Sequence, residues 1–211
     1  MYLFYDTETD GKYNFSLPFS HPSQPNIAQL AAQVTDINGK VKAEMNVLIK
    51  PLRPDLEMPE GAFQVHGITM EDLYKYGVPI YRAIDMFTSL VDTIPFEYGG
   101  YMVAHNEKFD TGMIRAAMFR AGILWEDGVV PFSLENGFVK FCTMKVATNV
   151  LKIKGPRGNK WPTLQEAVKM LCGREQNNAH DAMGDVIDCR DVFFALKKIW
   201  EQANGEQATG K

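Results

Sequence analysis

Two carboxylates two residues apart, Asp6 and Glu8, follow the apolar run Tyr2-Leu3-Phe4-Tyr5 within FYDTETDG. In a strand, side chains i and i+2 share a face, so both acids project side by side at its end. Crowding two like charges there is costly unless something compensates them. Two later stretches hold further candidates: HNEKFD (105–110) carries Asp110, and AHDAMGD (179–185) carries His180 and Asp185. Five residues along a helix turn the chain by roughly 140°, so His180 and Asp185 can flank one cleft. Hard divalent cations such as Mg²⁺ and Mn²⁺ prefer carboxylate oxygens and water, and often share their shell with substrate phosphate. Four carboxylates suit two such ions about 3.5–4 Å apart, clamping the attacking and leaving oxygens of a phosphoryl displacement. A histidine, ordinarily titrating near pH 6.5, suits the base that takes a proton from water.

This chemistry needs elements that bring the three stretches to one place. Strands are expected at 2–6, 27–36, 41–50, 101–105 and 138–142. Asn38-Gly39 marks a hairpin between the second and third. Residues 12–26 hold three prolines and many turn formers and read as a loop. A short helix follows Pro59. Thr69, with Asp72 three residues on, caps the next. Ile80, Ile84, Phe87 and Val91 recur at helical spacing over 80–92. Further helices are expected over 108–121, from Thr163 to Cys172, and over 179–203. Three strands followed by alternating helix and strand predict an α/β sheet with helices on its faces.

The 211 residues fit a single domain over 1–203, with 204–211 as a disordered tail. No apolar run is long enough for a membrane span, and MYLFYDTETDG has neither the basic start nor the cleavage site of a signal peptide. Cys142, Cys172 and Cys189 lack metal-type spacing and read as reduced thiols, placing the chain in the cytoplasm. A net charge of −4 argues against a protein that coats DNA, though not against an enzyme that handles nucleic acid briefly.

DTET (6–9), HNxxFD (105–110) and HxAxxD (180–185) together resemble the three motifs of the DEDDh 3′–5′ exonucleases. That family includes the proofreading subunit of bacterial DNA polymerase III, ribonuclease T and oligoribonuclease. VHGIT (65–69) is similar to a further family segment, and the resemblance spans roughly residues 1–200. It implies a ribonuclease H-like fold, with a mixed five-stranded sheet whose first three strands are antiparallel and last two parallel. It also implies that Asp6, Glu8, Asp110 and Asp185 bind two divalent ions, Mg²⁺ or Mn²⁺, and that His180 is the general base. Thr7 and Thr9 would hold the 3′-terminal nucleotide, Asn106 and Phe109 would shape its pocket, and His66 would lie nearby. The implied activity releases nucleoside monophosphates from the 3′ end of a single strand, with DNA preferred. RNA is the alternative, because neither the acids nor the histidine sense a 2′-hydroxyl. Such an enzyme either stands alone or works beside a DNA polymerase or another replication protein in a separate chain, and the sequence leaves both open. A non-catalytic nucleic-acid-binding module would be expected to lack one of the acids, and all are present.

Other features keep two readings. Lys152, Lys154, Arg157 and Lys160 form a basic loop that either contacts substrate phosphates or is a solvated turn. Tyr13, Phe15 and Phe19 either stack on bases or pin the 12–26 loop to its own domain. His105 is expected to be structural, Asp10, Asp181 and Asp188 to be solvated or capping groups, and Met170 to be core.

Overall fold

A computed structural model describes residues 1–94, 100–123, 139–176 and 178–209. Its main sheet holds β1 (Tyr2–Thr9), β2 (Ile27–Thr35), β3 (Val41–Leu48), β4 (Tyr101–Ala104) and β5 (Val139–Cys142). Their spatial order is β3-β2-β1-β4-β5. The pairs β1–β2 and β2–β3 are antiparallel, while β1–β4 and β4–β5 are parallel. This is the expected mixed sheet. The β2–β3 turn closes with Gly39 at φ +85°, in the left-handed region that glycine enters freely. Asp36 there accepts from the amides of Asn38 and Lys40.

The alternation of β1 divides the core. Tyr2 and Phe4 pack on one face against Val186, Cys189 and Phe193 of the final helix, Ala182–Thr209. Leu3 and Tyr5 pack on the other, in a cluster with Ile84, Phe87 and Met113. Each fully buried Leu or Phe contributes roughly 1.5–3 kcal/mol. Numbered along the chain, the helices are α1 (Glu60–His66), α2 (Met70–Tyr76), α3 (Ile80–Asp92), α4 (Glu107–Arg120), α5 (Thr143–Leu151), α6 (Leu164–Cys172) and α7 (Ala182–Thr209). Thr69 with Asp72, and Thr163 with Glu166, form reciprocal capping boxes that start α2 and α6.

Several elements differ from expectation. β1 runs past residue 6 to Thr9 because β2 continues to pair with it, Glu8 opposite Gln29. α5 occupies a stretch in which the sequence signals no element. It follows β5 without a turn residue, and its Val and Thr residues dilute the helical signal. The basic loop folds into a small hairpin, β6 (Lys154–Gly155) with β7 (Gly158–Asn159). α7 starts at Ala182 rather than 179, and is described to Thr209. Phe138 and residues 210–211, at the edges of an expected strand and tail, lie outside the described residues. Met113, Met118 and Met144 are buried, but Met170 is exposed. All three cysteines are free thiols. No described helix is long and apolar enough to cross a membrane.

Loop 12–26 is pinned to α4. The Tyr13 ring lies where a Cβ on Gly112 would sit, 2.9 Å from its nearest atom. Phe19 meets Phe119 edge-on beneath the Arg115 guanidinium. Arg120 donates to the carbonyls of Pro25 and Gln24. Phe15 remains 63% exposed.

Candidate active site

The face of β1 that packs Tyr2 and Phe4 on α7 is continued by Asp6 and Glu8, so the strand's period carries both acids toward the start of that helix. Asp185 stands in the first turn of α7. The opposite face is continued by Thr7, whose amide and hydroxyl donate to Asp110 Oδ1 at 3.1 and 2.8 Å. Asp110 lies in the first turn of α4, where backbone N–H groups favour a carboxylate. The chain passes from β4 into α4 through Asn106 at φ +80°, a left-handed geometry that asparagine tolerates. Because β1 and β4 run parallel, both deliver their acids to the same edge of the sheet.

Glu8 and Asp110 are buried, and Asp6 and Asp185 are partly exposed. Burial raises the Glu8 carboxyl to about 7, reinforced by Asp185 and Asp181. Asp6 is raised well above the usual range by burial, then by Asp110, Asp185 and Glu8. Burial also raises Asp110, against the opposing pull of the Thr7 hydrogen bonds. Burial raises Asp185 too, opposed by hydrogen bonds from the His180 backbone and the Gln176 side chain. Among the described residues, no Lys or Arg forms an ion pair with any of the four.

His180 joins this group from a turn, not from a helix. It sits before α7 at φ +66°, exposed. The roughly 140° helical separation from Asp185 therefore does not apply. Ligand atoms of Glu8, His180 and Asp185 nevertheless lie within 4.8 Å of one another. The structure thus brings Asp6, Glu8, Asp110, Asp185 and His180 to one edge of the sheet.

Of the remaining expected residues, Thr9 directly follows Glu8, and Asn106 and Phe109 lie on the turn and first residues of α4 that lead to Asp110. His66 ends α1, and its Nδ1 accepts from the Ile68 amide at 3.0 Å, which leaves the proton of the neutral ring on Nε2. Burial lowers its pKa; Thr9 opposes this and His180 adds to it. Thr9 Oγ1 donates to the Gly11 carbonyl. Phe109 packs against the core cluster beneath α4. His105 is structural as expected, with ring nitrogens bonded to Thr143 Oγ1 and the Pro162 carbonyl.

Sequence reasoning missed two glutamines. Buried Gln29 donates to Asp181 Oδ1 at 2.8 Å and to Asn46 Oδ1 at 2.9 Å, and accepts from the Ala182 amide at 3.1 Å. It ties β2 to the start of α7. Asp181 in turn caps that helix through the Gly184 amide. Gln176 Nε2 donates to Asp185 Oδ1 at 2.6 Å. A polar residue inside the otherwise apolar run IAQLAA was the available signal for Gln29. Asp188 also departs from expectation: it is fully buried, not solvated, with Arg174 Nη1 at 2.7 Å.

Residues 3–193 match the RNase_T family model, described as exonuclease. Solved structures share the fold. E. coli exonuclease I in complex with a dT13 oligonucleotide has a TM-score of 0.73 and 22% identity, covering 98% of this chain and 42% of that one. The zinc-bound E. coli ExoI–ssDNA complex has a TM-score of 0.68 and 24% identity, covering 94% and 40%. The ExoI/SSB-Ct complex has a TM-score of 0.71 and 22% identity, covering 93% and 41%. This chain spans about two-fifths of the length of those proteins. A search of curated protein sequences finds no significant match. Its β1 acids, its Asp110 and its His180–Asp185 turn all fall within the span of the family model, and the chain belongs to the RNase_T exonuclease family.

Proposed function

We propose that the chain is a metal-dependent 3′–5′ exonuclease that removes nucleoside monophosphates from single-stranded DNA. The observation that carries this reading is a cluster of four carboxylates that no Lys or Arg among the described residues pairs, beside an exposed histidine. Such a cluster costs energy in the folded chain unless an external cation enters it. The donor set is oxygen-rich, as Mg²⁺ or Mn²⁺ requires, and Glu8, His180 and Asp185 already converge. Asp6, Glu8, Asp110 and Asp185 would hold two such ions, which when bound would polarise the scissile phosphate and stabilise the leaving 3′ oxygen. His180 takes the proton of the attacking water at an imidazole nitrogen. The water oxygen attacks phosphorus, the P–O3′ bond breaks, and a nucleoside 5′-monophosphate leaves. Thr7 keeps Asp110 aimed at the site, and Gln176 does the same for Asp185. Thr9, His66, Asn106 and Phe109 border the space for the terminal nucleotide. DNA is favoured because E. coli exonuclease I, of similar fold, has been solved with dT13 and with ssDNA.

The test is a time course with Mg²⁺ on matched 5′-labelled single-stranded DNA and RNA, with Asp185→Ala as control. A ladder shortening from the 3′ end, absent in the control and faster on DNA, is expected. A faster RNA ladder would replace the substrate class. No cleavage with Mg²⁺ or Mn²⁺ would overturn the enzyme reading.

A further inference from the structure

Between Val139 and Gln165 the chain has no aspartate or glutamate, yet it carries Lys140, Lys145, Lys152, Lys154, Arg157 and Lys160. In a protein of net charge −4 this is a concentrated reversal of sign. Most of it lies on or beside the β6–β7 hairpin. Lys152 ends α5 in the left-handed region at φ +51° and is exposed. Lys154, Arg157 and Lys160 are all exposed, and Lys154 also bonds Asn159 at 3.3 Å. Lys160 is paired with Glu166. Among the described residues, Lys152, Lys154 and Arg157 have no carboxylate partner. Beside them Trp161 is 66% exposed, an unusual position for so large an apolar ring. The hairpin also bounds an open concavity of about 320 Å³.

The hairpin is held to the site. Its return strand leads to buried Pro162, whose carbonyl accepts from His105 Nε2 at 3.1 Å. His105 directly precedes Asn106 and the α4 turn that carries Asp110. At about 3.3 Å per residue, Arg157 lies no more than roughly 17 Å from Pro162. Cations with an exposed indole at this distance match the two elements that grip a single strand, phosphate neutralisation and base stacking.

We propose that the β6–β7 hairpin and Trp161 form a second nucleic-acid contact, which grips the phosphates and one base of a single strand upstream of its 3′ end. The inference rests on the exonuclease reading for the direction of the strand. Its binding test does not depend on cleavage.

The experiment is fluorescence anisotropy of a 5′-labelled oligo(dT) of about 16 nucleotides in EDTA across a salt series. It compares wild type, Lys154→Glu/Arg157→Glu and Trp161→Ala. Melting midpoints and Mg²⁺-dependent cleavage of a dinucleotide, too short to reach the hairpin, serve as controls. Trp161→Ala is expected to weaken binding by ~5- to ~150-fold. The double variant is expected to lower the salt slope by about 0.7 for each phosphate that is no longer neutralised. Dinucleotide cleavage and melting should stay unchanged. Wild-type affinity and salt slope in both variants, or no oligonucleotide binding by wild type, would overturn the proposal. Hairpin-dependent binding without any cleavage by wild type would instead overturn the exonuclease reading and leave the second binding surface standing.

Discussion

Helix α7 meets carboxylates in two settings a turn apart. Asp188 is fully buried, yet Arg174 lies 2.7 Å away and also reaches Asp191 at 2.5 Å. One turn earlier, Asp185 joins Asp6, Glu8 and Asp110, and no described cation answers them. The same helix therefore holds two acids, Asp188 and Asp191, compensated within the chain, while its Asp185 joins three others that no described Lys or Arg pairs. The first arrangement is architecture, because a buried charge that finds its partner internally needs nothing further. The second keeps a standing electrostatic cost, and a protein retains such a cost where an outside charge is meant to enter.

The contrast can be broken in order of effect. Asp6→Ala should remove oligonucleotide cleavage while leaving the melting midpoint unchanged or higher, since it relieves repulsion. A clear fall in the midpoint would mean that Asp6 is structural like Asp188. His180→Ala should slow cleavage by roughly 10²–10⁴-fold with binding retained, measured by single-turnover kinetics; near-normal rates would remove it from the base role. Arg174→Ala should do the reverse, costing stability near the lower end of about 3–5 kcal/mol because the guanidinium is partly exposed. Denaturant unfolding would read this, and an unchanged midpoint would mean that Asp188 is satisfied otherwise.

Gln29→Ala should weaken Mg²⁺ affinity or activity by about 10–100-fold, as expected for a group that orients a ligand-bearing turn. Metal titration followed by the rate would check it. The smallest effect is in pH. With Glu8 raised to about 7 and Asp6 and Asp110 also raised, the folded chain binds protons that the unfolded chain releases near pH 4. Stability without metal is therefore full below about pH 4 and falls as pH rises through about 7. Melting in EDTA should be lower at pH 8 than at pH 5, and Mg²⁺ should restore it at pH 8. A flat profile would mean that the four acids are compensated after all.

Much of this site was legible in the chain. The i, i+2 spacing of Asp6 and Glu8 is a strand period, and a strand that ends in acids after an apolar run announces a cleft. The order DTET, HNxxFD, HxAxxD named the other acids. The start of α7 was misplaced because Ala179, His180 and Asp181 are compatible with a helix, and a positive φ at His180 leaves no mark in composition. Asp188 read as solvated because its partner, Arg174, sits on the preceding loop, where no periodicity connects them. Gln29 escaped because its partners lie on β3 and at the start of α7.

The sequence by itself determined the strand alternation, the hairpin and capping signals, the identity of the acids and the acid-free basic stretch. These are local properties, set by side-chain chemistry and by the periods of strand and helix. Only the tertiary structure decided which acids share one low-dielectric edge and which find an arginine. Charge compensation depends on distance through space, and residues far apart in the chain meet there only because β1 and β4 run parallel beneath α7.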